Sequence, residues 1–98
     1  MTRLSPGIVR AVAGILEAAS AEPYVSWCSE STEVICPDVQ SEKVRARIIA
    51  AVQLNIVNRR EWPFERLQRR FGLPCSLSYF KKQKYRYIAE VARRCGLI

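Results

Sequence analysis

Apolar residues return at helical spacing in four separate stretches of this chain. Ile8, Val12, Ile15, Leu16 and Ala19 mark the first, which opens with Ser5 as an N-cap and Pro6 at the first helical position. Leu4 and Val9 stand where a hydrophobic staple pairs them, and the pattern predicts a helix over 6–21 ended by Pro23. A second helix runs from Ser41 to about Asn58 on Val44, Ile48, Ala51, Val52 and Leu54–Ile56. Its Lys43, Arg45 and Arg47 point away from the apolar stripe, as on a solvated face. A third, short helix carries Phe64, Leu67 and Phe71 behind Pro63 at its first position; Gly72 ends it as a left-handed cap and Pro74 blocks continuation. Ser76 then caps a fourth helix, 76–94, which Gly96 stops.

Residues 24–36 break the rhythm. Tyr24, Val25 and Trp27 before Ser29-Glu30-Ser31, and Thr32, Val34 and Ile35 after it, favour two short strands in a hairpin. The turn has neither Asn-Gly nor Asp-Gly, so an ordered loop with Trp27 plugging the core is the alternative. The expected class is therefore mainly α: a small helical bundle with a helix-turn-helix-like C-terminal unit and room for a short β-hairpin near residues 24–36.

Length adds that residues 1–98 form a single domain with one modest core. Charge adds a division. Residues 1–40 hold two arginines against five acids, whereas residues 41–98 hold fourteen Lys/Arg against four acids. The acidic part comprises the first helix and the hairpin or loop; the basic helical part is the one to meet a polyanion.

The remaining chemistry is largely a matter of exclusion. The chain has no histidine, and Cys28, Cys36, Cys75 and Cys95 form no C-x-x-C pair, so neither a metal site nor any other cofactor is expected. Without a general base near Cys36 or Cys75, a Gly-rich phosphate loop or a paired-carboxylate constellation, no catalytic residues stand out and an enzyme is not expected. The opening MTRLSPGIVRAVAGILEAA lacks the apolar core of a signal peptide, and no run approaches the roughly 20 apolar residues of a membrane span. Reduced cysteines serving as small core residues in a cytoplasmic protein follow.

At 100° per residue, the last helix sorts Leu77, Phe80, Tyr87, Ile88, Val91 and Cys95 to one face. Ser78, Lys82, Arg86, Ala89 and Arg93 take the opposite face with Tyr79 beside them, while Lys84 falls inside the apolar arc and must snorkel. A helix so divided, behind a short helix and tight turn, is what a helix-turn-helix protein lays in the DNA major groove. Ser76, Ser78 and Tyr79 let the helix end approach; Lys81, Lys82, Arg86 and Arg93 contact phosphates or bases; Arg69 and Arg70 grip the backbone. The usual motif, aligned on Gly72, buries positions that here hold Ser78 and Lys81, a shift that the longer turn Gly72-Leu73-Pro74-Cys75 absorbs. The plain alternative is a helical hairpin with a solvated basic face.

The ending FERLQRRFGLPCSLSYFKKQKYRYIAEVARRCGLI resembles the C-terminal segment of small phage- and prophage-encoded proteins related to late transcription activators of the Rin/ArpU type. The matching positions are Leu73-Pro74, Ser76, Tyr79, Phe80, Lys84, Tyr85, Arg86 and Glu90-Val91-Ala92-Arg93-Arg94. The resemblance implies a DNA-binding unit similar to region 4 of a sigma factor. The expectation is thus a transcriptional regulator of double-stranded DNA, with residues 1–40 free for dimerisation or contact with RNA polymerase. An interaction module for an acidic protein partner is the rival reading, and an RNA-binding protein using Tyr79, Tyr85 and Tyr87 a third.

Overall fold

The computed structural model describes residues 4–98; Arg3, counted above among the basic residues, lies outside them. Five α-helices follow one another: α1 (Pro6–Glu17), α2 (Tyr24–Ser31), α3 (Glu42–Val57), α4 (Phe64–Phe71) and α5 (Leu77–Arg94), with a 3-10 turn at Thr32–Val34 after α2. The protein is mainly α, and no strand occurs among the described residues.

Local signals set most of the boundaries. The hydroxyls of Ser5, Ser41 and Ser76 accept the N–H of Ile8, Val44 and Tyr79 at 3.2, 3.3 and 3.2 Å, each satisfying an orphan donor of a helix start. Gly72 takes a left-handed conformation (φ 63°) after α4, and the Leu73 N–H reaches back to the Gln68 carbonyl. Gly96 (φ 80°) does the same after α5, with Leu97 N–H on Ala92 and Gly96 N–H on Arg93, which is a Schellman motif.

Three expectations about the elements and their bounds change. Helix α1 stops at Glu17 and not at residue 21, because Ala19 N–H bonds to the Leu16 carbonyl and the chain turns back through Ala21. Pro63 lies before α4 in an extended conformation (ψ 163°), so Phe64 is the first helical residue.

The third correction concerns residues 24–36, which form helix α2 and the 3-10 turn where a hairpin was expected. Val25 N–H bonds to the Ala21 carbonyl and Trp27 N–H to that of Pro23, so the β-favouring residues themselves enter helical bonding with the turn before them. Cys28 and Ser31, three apart, are the residues α2 buries. Strand preference is a preference for a pleated, half-buried surface. With no partner strand available, helix packing prevails.

Helix α5 is the axis of the molecule, touching α1, α2, α3 and the 3-10 turn, while α4 leans mainly on α3. Phe80, Tyr87, Ile88, Val91 and Ala92 of α5 join Val12, Ile35, Ile48, Ala51, Val52, Ile56 and Leu67 in one core. Burying each large aliphatic side chain contributes about 1.5–3 kcal/mol. Leu77, expected on this face, is instead exposed, and Gln83 is buried in the core-facing arc.

Polar anchors hold the connection between the 3-10 turn and α3. Gln83 Oε1 accepts the Cys36 N–H at 2.9 Å, supporting a residue held at φ 51°. Arg45 is not on a solvated face: its guanidinium donates to the carbonyls of Ile35 (2.9 Å) and Thr32 (2.8 Å). The Tyr87 hydroxyl donates to the Cys28 carbonyl at 3.0 Å and accepts from Gln53 Nε2 at 3.1 Å. Cys28, Cys36, Cys75 and Cys95 are all free thiols, the first two buried.

Candidate functional site

The charges of α5 divide along its length. At its C-terminal end, Arg94 bridges Glu30 (3.0 Å) and Glu33 (2.9 Å) of the N-terminal part, with Glu90 at 3.4 Å. Arg93 forks onto both oxygens of the same Glu90, at 2.7 and 2.9 Å. Hydrogen bonding from Arg93 is the chief reason that the Glu90 carboxyl lies below its ordinary range. Three acids are thereby consumed within the fold.

The N-terminal half is different. Its first turn holds no acid, and Lys81 and Lys82 are exposed and form no ion pair among the described residues. Positive charge and the positive end of the helix coincide here.

The expected contact residues fall into distinct settings. Ser78, Lys81 and Lys82 are exposed on α5, and Arg69 and Arg70 are exposed on the last turn of α4, the latter 5.9 Å over the Phe71 ring. Ser76 is exposed, but its hydroxyl is committed to the cap. Tyr79 is half-buried; its hydroxyl donates to Asp38 at 3.1 Å. The Cys36 thiol, then burial and Asp38, raise its pKa well above the ordinary tyrosine value. Arg93 is exposed yet engaged by Glu90, and Arg86 is half-buried.

Several depressions flank this helix. Arg86 and Arg93 line a groove of about 740 Å³ with Glu33, Val34, Pro37 and Ile98. Lys81 lines another, of about 380 Å³, with Arg59 and Lys84. Neither includes Arg69 or Arg70. Helices α4 and α5 meet through Phe64 and Phe80, whose ring centroids lie 5.2 Å apart.

Sequence reasoning passed over Arg59 and Lys84 as site residues. Lys84 did carry a signal, a cation inside an apolar arc, and it is half-buried as that position requires. Arg59 carried none, because its position beside Lys81 and Lys84 arises only when the end of α3 meets α5. Among the described residues, no helix is long and apolar enough to cross a membrane. No protein-family model, curated protein or solved structure matches this chain.

Proposed function

We propose that this protein is a cytoplasmic regulator of transcription that binds double-stranded DNA, placing the outward arc of α5 in the major groove. One observation carries the reading: the acids Glu30, Glu33 and Glu90 are drawn to Arg93 and Arg94, while Lys81 and Lys82 at the other end of α5 stay exposed and unpaired among the described residues. Phosphates are the natural counterions for such a surface. Lys81, Lys82 and Arg86 are the leading contacts, with Ser78 allowing close approach and Arg69 and Arg70 reaching the flanking backbone. Arg93 joins only by exchanging Glu90 for a phosphate. The C-terminal resemblance supports phage or prophage descent, with RNA polymerase or a second copy of the chain as further partners.

The test is duplex binding across a salt series. Neutralising Lys82 and Arg86 together (K82Q/R86Q) should lower the slope of log affinity against log salt by about 2, near 0.9 for each phosphate no longer neutralised. An unchanged slope and affinity would remove these residues from the interface.

A second reading, docking of a protein partner, draws on the groove between α5 and the 3-10 turn. There Val34, Pro37 and Ile98 place apolar surface between Arg86 and Arg93. Copurification of a stoichiometric protein, without nucleic acid, would favour it. Base stacking on RNA has less to work with, since Tyr87 is sealed in the core and Tyr79 is tied to Asp38.

A further inference from the structure

We infer that Arg59, Lys81 and Lys84 form a binding pocket for a phosphate ester at the junction of α3, α4 and α5. The three side chains line one depression of about 380 Å³. Arg59 also lines the adjoining hollow with Arg10 and Arg60, and Lys81 and Lys84 line a third with Leu4 and Val9. Five cations thus surround one region, and Glu65 is the only acid lining any of these three hollows among the described residues.

Such crowding has a cost that the fold does not offset internally. None of the five cations has an ion pair among the described residues. Lys84 is half-buried, and its pKa is lowered first by burial and then by the charges of Arg59 and Lys81. A bound anion relieves that repulsion. Arg59 brings a planar fork of donors and the lysines bring two point charges, a set that meets the several oxygens of a tetrahedral phosphate. Phe64 and the exposed Leu77 form an apolar wall of the same depression, matching the organic part of an ester. The pocket shares only Lys81 with the proposed DNA surface.

The experiment follows thermal unfolding of the full chain while inorganic phosphate or thymidine monophosphate is added, with sodium chloride at matched ionic strength as control. Both phosphate compounds should raise Tm and saturate, as a ligand of the folded state does. Arg59→Gln and Lys84→Met, the latter keeping an apolar stem in place, should each weaken apparent affinity by about tenfold. Circular dichroism checks that both variants fold. An equal Tm rise with chloride, or undiminished phosphate affinity in both variants, overturns the pocket.

Competition identifies the source of the phosphate. Displacement of thymidine monophosphate by duplex DNA assigns the pocket to the nucleic-acid backbone, while simultaneous binding assigns it to a free phosphate ester. The K82Q/R86Q variant keeps the two readings separate: it should weaken duplex binding and retain phosphate saturation. Absence of duplex binding by the parent chain leaves the phosphate arm fully informative.

Discussion

Tyr87→Phe removes one oxygen from the centre of the molecule and leaves the ring in place. The hydroxyl donates to the Cys28 carbonyl at 3.0 Å and accepts from Gln53 at 3.1 Å, and Tyr87 itself is fully buried. The two partners are affected differently. Gln53 is half-buried and can turn its amide to water, so its penalty is small. Cys28 is buried near the end of α2, where the Thr32 N–H, the regular helical partner of its carbonyl, points to Ser29 and Glu30. Without Tyr87, that carbonyl is left short of a donor. A buried acceptor stripped of its partner costs about 1–3 kcal/mol. About 2 kcal/mol is the value to expect, which lowers the Tm of a domain this size by roughly 8–16 °C. Urea unfolding monitored by circular dichroism measures it directly, with the midpoint reduced and the slope unchanged. Gln53→Met is the control and should cost under about 0.5 kcal/mol, since the Tyr87 hydroxyl left behind still donates to the Cys28 carbonyl. If Tyr87→Phe costs no more than that control, the carbonyl has another donor and the reasoning about the α2 terminus fails.

Two glycines should respond with opposite sign. At Gly72 (φ 63°) an added Cβ meets no atom within 4 Å, so Gly72→Ala should lose about 1 kcal/mol by backbone strain alone. At Gly14, inside α1 and equally open, Gly14→Ala should gain about 0.5–1 kcal/mol; paired melts settle both. Glu90 has a lowered pKa in the fold, so its ionised form is stabilising. That contribution is complete above the ordinary glutamate range and lost as pH falls through the lowered value. The difference in Tm between the parent and Glu90→Gln should therefore shrink on acidification, and a constant difference refutes the linkage. Thiol labelling should separate Cys28 and Cys36, buried and pushed up in pKa, from half-buried Cys95. The first two should react at the rate of unfolding, and reaction as fast as that of Cys95 would contradict their burial.

The helices that could be read from the chain were those whose ends are chemically marked. Ser5, Ser41 and Ser76 begin α1, α3 and α5, and Gly72 and Gly96 end α4 and α5, because caps act over a few residues and leave a local trace. Helix α2 has no side-chain cap, and its aromatic and β-branched residues favour a strand when read alone. Its conformation is decided by what covers Cys28 and Ser31. Gln83 was passed over and Arg45 misread for a related reason. Each is polar and so was assigned no inward role, yet each satisfies a backbone group of the segment between α2 and α3, 47 and 10–13 residues away in sequence. The cationic side of α5 was legible from its 100° periodicity. The Glu90–Arg93 pair lies at i, i+3 within α5, but the pairing of Arg94 with Glu30 and Glu33, and the meeting of Arg59 with Lys84, depend on distant elements and left no periodic mark.

The ion pairs around Arg94 also bear on how the molecule approaches a partner. By drawing Glu30 and Glu33 against the end of α5, they gather negative charge at its C-terminal pole. Lys81 and Lys82, near the start of the same helix, leave the other pole positive, and the helix macrodipole runs in the same sense. The protein is therefore polarised in charge along α5, with a preferred leading end. In the field of a polyanion it turns before it touches, presenting the start of α5 first and raising the fraction of encounters that are productive.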